Sequence, residues 1–484
     1  PPGVTVGLSG NAVRFTETGL EQPNSAAALP GPMADSGTCS LAAARLHFGD
    51  KTLLAHSPVP EMPPSSYRSH GLLIVLVLLG GNVRTTHAGD WPQVLGPTRS
   101  GVADGETLPD KLPSDLQPLW SLPAGEGFSG PAIVAGRVYL FHRVDEEERL
   151  ECRELRTGKE VWSRGFPSTY RGTISEDSGP RCVPLVQGDA VYLFGAAGGL
   201  HAVDRATGKV LWSRNLARDY KAQEGYFGFG STPLFVADRL LVNVGGKPNA
   251  GIVALDPATG KTVWTAVDDA SSYSAPVAAK VNGRLLAHFI TRLQFLSLDP
   301  ATGEVVATTP FGQRGPTVNA ASPLFFRDPA SGDPVSSNQV FLTASYGIGA
   351  KLLRYTQTGL ETDWEGEEIS SQYTTPVDYE GHLYAIDGRE DVGTARLVCF
   401  DRKARKVRWA EDGFGMATLI RAGDKLLLLK TDGTLVLAKA SPKAFESLGE
   451  TAFFTSTARA LPAYSAGVFV ARDVKTWRAG LISH

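Results

Sequence analysis

The side chains with the chemistry to hold a ligand fall in a few short stretches. Tyr170 to Arg181 carries Arg171, Asp177 and Arg181, and Glu224 to Gly230 carries Tyr226. Tyr273, Asn319 and Tyr373 each stand a few residues ahead of a proline, and Tyr346, Lys351 and Asp387 lie at the ends of apolar runs. Two guanidiniums can fork onto a carboxylate, an ammonium adds a point charge, and tyrosines give flat stacking surfaces. Asp177, Asn319 and Asp387 add acceptors. This is the chemistry of binding an anion, a sugar or a peptide rather than of bond breaking. The same residues also admit a purely structural reading. Arg181 then pairs with Asp177, the glycines of 225–230 only turn the chain, and the tyrosines cap packed sheets.

The sequence offers no evident catalytic set. His142, His201, His288, His382 and His484 show no metal-ligand spacing. Cys152, Cys182 and Cys399 are too few and too scattered for a disulfide framework or a zinc site, and read as free, partly buried thiols. No Gly-x-Ser-x-Gly elbow occurs. The Gly225–Gly230 stretch leads into a strand, which makes it a poor phosphate cradle. Glu146-Glu147-Glu148 reads as a solvated hairpin tip. Lys plus Arg number 47 against 50 Asp plus Glu, with no basic stripe, so nucleic acid is not an expected partner.

The elements that must position these residues repeat eight times. Prolines at 131, 184, 233, 276, 323, 376 and 462, with Thr418 in an eighth equivalent place, each open an apolar run. A Gly- or Asp-bounded second strand follows, as in Gly136 to Leu140 and Asp238 to Val242. Then comes a turn such as Asp204-Arg205-Ala206-Thr207-Gly208-Lys209 or Asp256 to Lys261, followed by Trp212 or Trp264. Asp bonds the backbone ahead of it and Gly accepts positive φ, so these strings are hairpin turns. The unit at Asp299 has Ala307 in place of the tryptophan, and the unit at Asp401 lacks the glycine. Four short strands cannot bury their own apolar faces, so the units must stack and close. The expected fold is all-β: an eight-bladed β-propeller of four-stranded antiparallel blades. The last unit lacks its outer strand, and the stretch around Trp120 is expected to supply it, which removes an open edge. The repeated tryptophans are expected to pack between blades.

The text before this array differs. Residues 1–61 show no sustained period and read as disordered, or as a leader translated from a start placed too early. Residues 62–88 combine Arg68 and His70, the apolar run Leu72 to Leu79, and the small-residue end Thr86-His87-Ala88. That is the layout of a cleaved secretory signal, and the run falls well short of the roughly 20 residues of a membrane span. The expectation is a periplasmic or secreted, monomeric propeller over 89–484, with no membrane span in the mature chain and no lipid-bearing cysteine.

The motif Asp-x-x-Thr-Gly-Lys-x-x-Trp resembles the repeat of pyrroloquinoline quinone (PQQ) propellers, the quinoprotein alcohol dehydrogenase-like superfamily. Asp90 to Pro97, Pro180-Arg181, Val318 to Ala321 and Tyr346 to Gly349 are similar to stretches of exported bacterial PQQ-like proteins. That family includes quinone-dependent dehydrogenases and the non-catalytic propeller subunit of the outer-membrane protein assembly machine. For the dehydrogenases the resemblance implies a quinone in the channel, covered by a disulfide of adjacent cysteines on one face and a tryptophan on the other. It also implies a calcium held by carboxylate and amide oxygens, with an aspartate as base. No two cysteines here are adjacent, and no motif places the base or the metal ligands. The expectation is therefore a non-catalytic binding or scaffolding module for a protein segment or cell-envelope polymer, with no cofactor. The alternative is a dehydrogenase of alcohols or sugars using PQQ and calcium.

Overall fold

A computed structural model describes residues 89–174, 177–327 and 336–482. The leader readings for 1–61 and 62–88 lie outside the described residues. Eight four-stranded antiparallel sheets form the eight blades. Their innermost strands are Ala132–Val134, Leu185–Gln187, Leu234–Val236, Val277–Val281, Leu324–Phe325, Val377–Tyr379, Ala417–Ala422 and Ala463–Ser465, in blades 1 to 8. Among the described residues helix is confined to the single turn Leu216–Asp219.

Local chemistry sets each hairpin. Between the first and second strands of blades 1, 3, 4, 6 and 8, a two-residue turn has positive φ at both positions, as at Ala135-Gly136 and Asn282-Gly283. That turn matches the twist of the strands it joins. In the outer turn, the Asp204 carboxylate accepts from the Thr207 amide at 2.8 Å and its hydroxyl at 2.6 Å, and Asp256 does the same for Thr259.

The Thr-Gly glycine has two duties. It takes positive φ, and it lies against the tryptophan of the preceding blade. A Cβ on Gly208 would sit 2.7 Å from the Trp162 ring, and one on Gly260 2.7 Å from Trp212. The indole N–H then donates into the same turn, Trp162 to the Arg205 carbonyl at 3.2 Å and Trp212 to that of Pro257 at 2.9 Å. The tryptophans are therefore seams between blades. Blade 5 adds Trp364, stacked on Phe341 and tilted against Phe400 of blade 6. There the turn needs no glycine, and Arg405 takes the positive φ.

The ring closes as the sequence predicts. Pro118–Pro123 pairs antiparallel with Thr476–Leu481 and becomes the outermost strand of blade 8. Trp120 meets Trp477 edge-on at 5.1 Å and donates to the Leu155 carbonyl of blade 1 at 2.8 Å.

The segment before that strand does something the repeats do not announce. Trp91 exchanges two backbone bonds with Ile133 of blade 1, and Pro92 accepts from Val186 of blade 2. Arg99 donates to the carbonyls of Thr232, Pro233 and Pro276, at the entries of blades 3 and 4. Gly101 and Ala103 bond Arg421 of blade 7, and Glu106 accepts from Ala466 and Gly467 of blade 8. Val94 and Leu95 pack with Val183, Ala275 and Leu461, each one residue before an opening proline. Residues 91–103 thus plug the propeller channel, tying inner strands around the ring.

Two sequence expectations need correction. Glu146-Glu147-Glu148 is not a solvated tip throughout: Glu148 lies in the strand Glu147–Glu154, is 3% exposed, and accepts from the Ala196 amide at 2.8 Å. Strand alternation turns it inward while its neighbours face out. The three thiols are fully buried rather than partly so.

Candidate functional site

Each blade enters the channel through the residues just before its opening position. Three residues back from these positions stand Phe128, Arg181, Gly230, Tyr273, Ala320, Tyr373, Gly415 and Arg459. The large members meet over the small ones. A Cβ on Gly230 would lie 2.9 Å from both Arg181 and Tyr273. Phe128 is flanked by two guanidiniums, Arg181 at 5.4 Å and Arg459 at 5.7 Å from its ring centre. Across Gly415, Tyr373 and Arg459 share the Glu390 carboxylate at 3.0 and 2.9 Å. These residues form an aromatic mouth lined by ion-paired arginines, with the plug below it.

The predicted residues distribute unevenly. Arg181 forms an ion pair with Asp177 at 3.2 Å, and Asp177 also accepts from the amides of Gly127 and Gly179. Arg171 turns instead to Glu146, and its own guanidinium is more than half exposed. Tyr273 accepts the Phe227 amide on its hydroxyl at 2.7 Å, and burial raises its phenol well above the usual value. Tyr373 is shifted the same way by burial and by the Glu390 charge. Tyr346 accepts from Gln372 at 3.0 Å, with Arg389 over its ring at 4.6 Å. Asp387 accepts from the Ser370 amide and pairs with Arg396 at 3.0 Å. Lys351 sits within the third strand of blade 5, paired with Glu365 at 3.4 Å.

Three of the predicted residues, Tyr226, Tyr273 and Asn319, line one cleft of about 410 Å³ beside the mouth. Asn319 is 1% exposed and organises the wall. Its side-chain amide donates to the carbonyls of Thr291 and Arg292, and its main-chain carbonyl accepts from Tyr273 and Ser274. Sequence reasoning missed Phe128, Glu390, Arg459 and Arg292. The offset of three from each opening residue would have found Phe128 and Arg459. Glu390 and Arg292 lie on loops within blades 6 and 4, where no repeat position marks them.

The quinone and calcium implied by the resemblance meet an unsuitable donor set. Cys152, Cys182 and Cys399 lie in three separate interblade layers. Among the described residues, no three His, Cys, Asp or Glu side chains gather in one place. The mouth carboxylates Asp177, Glu390 and Asp387 are each already held by an arginine.

Comparison with known proteins agrees with this architecture. Residues 146–411 match a family profile described as outer membrane protein assembly factor BamB. The chain is 26% identical over 295 residues to the outer membrane protein assembly factor BamB of Burkholderia pseudomallei, covering 58% of this chain and 66% of that one. It is 31% identical over 164 residues to the quinoprotein alcohol dehydrogenase PedH of Pseudomonas putida, covering 31% of this chain and 25% of that enzyme. The chain thus spans a quarter of the dehydrogenase's length and just under two thirds of the assembly factor's. Among solved structures, BamB from Moraxella catarrhalis superposes with a TM-score of 0.55 at 15% identity, over 76% of this chain and 100% of that one. A europium-containing methanol dehydrogenase superposes with a TM-score of 0.61 at 13% identity, over 81% and 90%. Both show the shared propeller fold.

Proposed function

The chain belongs to the PQQ-like propeller family described as outer membrane protein assembly factor BamB, and from that premise we propose that it is a non-catalytic binding module of the cell envelope. Its mouth holds a protein segment or an envelope polymer. The observation that carries this reading is the mouth itself. Arg181, Arg459, Phe128, Tyr273 and Tyr373 converge where each blade enters, over a channel stopped by residues 91–103. Such a surface suits docking, because rigid strands hold loop-borne polar and aromatic groups in place. The secretory layout of residues 62–88 supports placement outside the cytoplasm. Among the described residues no helix is long and apolar enough to cross a membrane.

The test is photo-crosslinking in cells. A photoreactive residue at Phe128 or Arg459 should give discrete adducts, and one at Lys209 on the outer rim should not. Equal labelling from rim and mouth would overturn the reading. A second reading, a PQQ- and calcium-dependent dehydrogenase of alcohols or sugars, rests on the 31% identity with PedH. Adding PQQ and Ca²⁺ separates the two. Dye reduction with alcohols or aldoses, together with a raised melting temperature, would establish the enzyme. A ligand at a few times its Kd adds roughly 1 kcal/mol, enough to see.

A further inference from the structure

The cleft beside the mouth has a chemistry of its own. Its charged members are Glu224 and Arg292, and among the described residues neither has a partner of opposite charge. Arg292 donates to the Thr317 hydroxyl at 2.7 Å and the Gly315 carbonyl at 2.6 Å, so its positive charge is solvated but not neutralised. Glu224 is exposed, and among the described residues its carboxylate accepts no hydrogen bond. One charge of each sign argues against a simple ion site. Apart from its two tyrosine rings, the lining offers only Ala270 and Val318 as apolar side chains, too little to anchor a peptide by an aliphatic or aromatic residue.

The remaining groups suit a ligand that is polar at its edge and flat on its face. Tyr226 is 41% exposed, and among the described residues its side chain bonds only the Gly315 carbonyl, through its hydroxyl, with no ring contact. Gln223 and Ser271 add donors and acceptors along the rim. A sugar ring answers each of these. Its C–H face lies on an aromatic ring, and every hydroxyl both donates and accepts. It can therefore bridge a carboxylate, a guanidinium and an amide at once. A cleft of about 410 Å³ is of the size that holds a small ligand.

We propose that this cleft is a saccharide-binding site, taking an uncharged sugar unit of a larger glycan, with Tyr226 as stacking platform and Glu224, Arg292 and the Gln223 amide as hydroxyl partners. This deepens the binding-module reading and rests on it, since it selects a polymer over a protein segment for this part of the surface.

The experiment is calorimetric titration of the purified chain with maltotetraose, cellotetraose and chitotetraose. At least one should bind, and Tyr226→Ala and Glu224→Ala should each weaken it about tenfold or more, a loss of about 1.4 kcal/mol. Both positions are exposed, so the melting temperature should stay unchanged. Lys209→Ala, on the outer rim, should bind as the native chain does. No binding by any of the three sugars, or binding undiminished in Tyr226→Ala, overturns the proposal. Mouth crosslinks to a protein without sugar binding would overturn this inference and leave the binding module standing. Rim and mouth crosslinking alike would remove the broader reading.

Discussion

Individual buried ionisable residues tie this fold to pH in opposing directions. Burial pushes the Glu148 carboxyl up to about 7, against the pull of the Ala196 amide and of Arg143 and Arg181. The folded chain therefore keeps a proton that the unfolded chain releases near 4.5, and stability falls as pH rises from 4.5 through 7. His201 and His288 act the other way. Burial lowers them to about 4 and about 3. The neutral His288 ring fits its place, with Nδ1 beside the Ser297 and Tyr355 hydroxyls and Nε2 facing the Ala279 carbonyl. Unfolding lets both rings take up protons below 6.5, so their stability is lost on acidification. Glu148→Gln should leave stability at pH 4.5 nearly unchanged and raise it at pH 8 by about 3 kcal/mol. A variant equally or less stable at pH 8 would show that the carboxylate's hydrogen bond outweighs its desolvation.

At the scale of the strand and its turn, the repeated unit is a contact between neighbours. The Asp carboxylate shapes the turn, the glycine permits it, and the preceding blade's tryptophan lies on that glycine. Gly208→Ala should cost about 2–3 kcal/mol, because it demands positive φ of an alanine and drives a methyl into the Trp162 ring. Gly136→Ala is the control, since its φ is also positive but nothing lies within 4 Å of the added Cβ. It should cost only about 1 kcal/mol. Equal losses in urea unfolding would mean that the ring contact contributes nothing.

For the whole molecule, closure and plugging are separate devices. The strand Pro118–Pro123 joins the ends of the ring, and Arg472 of blade 8 donates to the Gly125 carbonyl at 2.6 Å. The plug is held by Arg99, which is 2% exposed with three carbonyl acceptors. Burial lowers its guanidinium to about 9, so it remains charged at neutral pH. Arg99→Met keeps the stem but leaves those carbonyls without a donor. The expected loss is about 3 kcal/mol, with far-UV circular dichroism unchanged because the closing strand lies downstream. Faster proteolysis within 89–103 should accompany it. An unaltered melting temperature would show that the plug does not depend on this cation.

The blade count, the four-strand unit and the closing strand were legible because propeller physics writes itself locally. Turn residues, opening prolines and Trp120 each carry a signal within a few residues. The candidate site was only half legible. Tyr226, Tyr273 and Asn319 were found as loop residues, but their gathering into one cleft depends on loops from blades more than 40 residues apart. Arg181 and Asp177 carried no sign of whether they would pair or face a ligand. Glu148 was misread because a run of three acids looks solvated until strand alternation turns one inward. Residues 91–103 contain no repeat at all. Their role as a plug was decided by the channel, whose unpaired inner-strand edges and entry carbonyls exist only once eight separate sheets have closed into a ring.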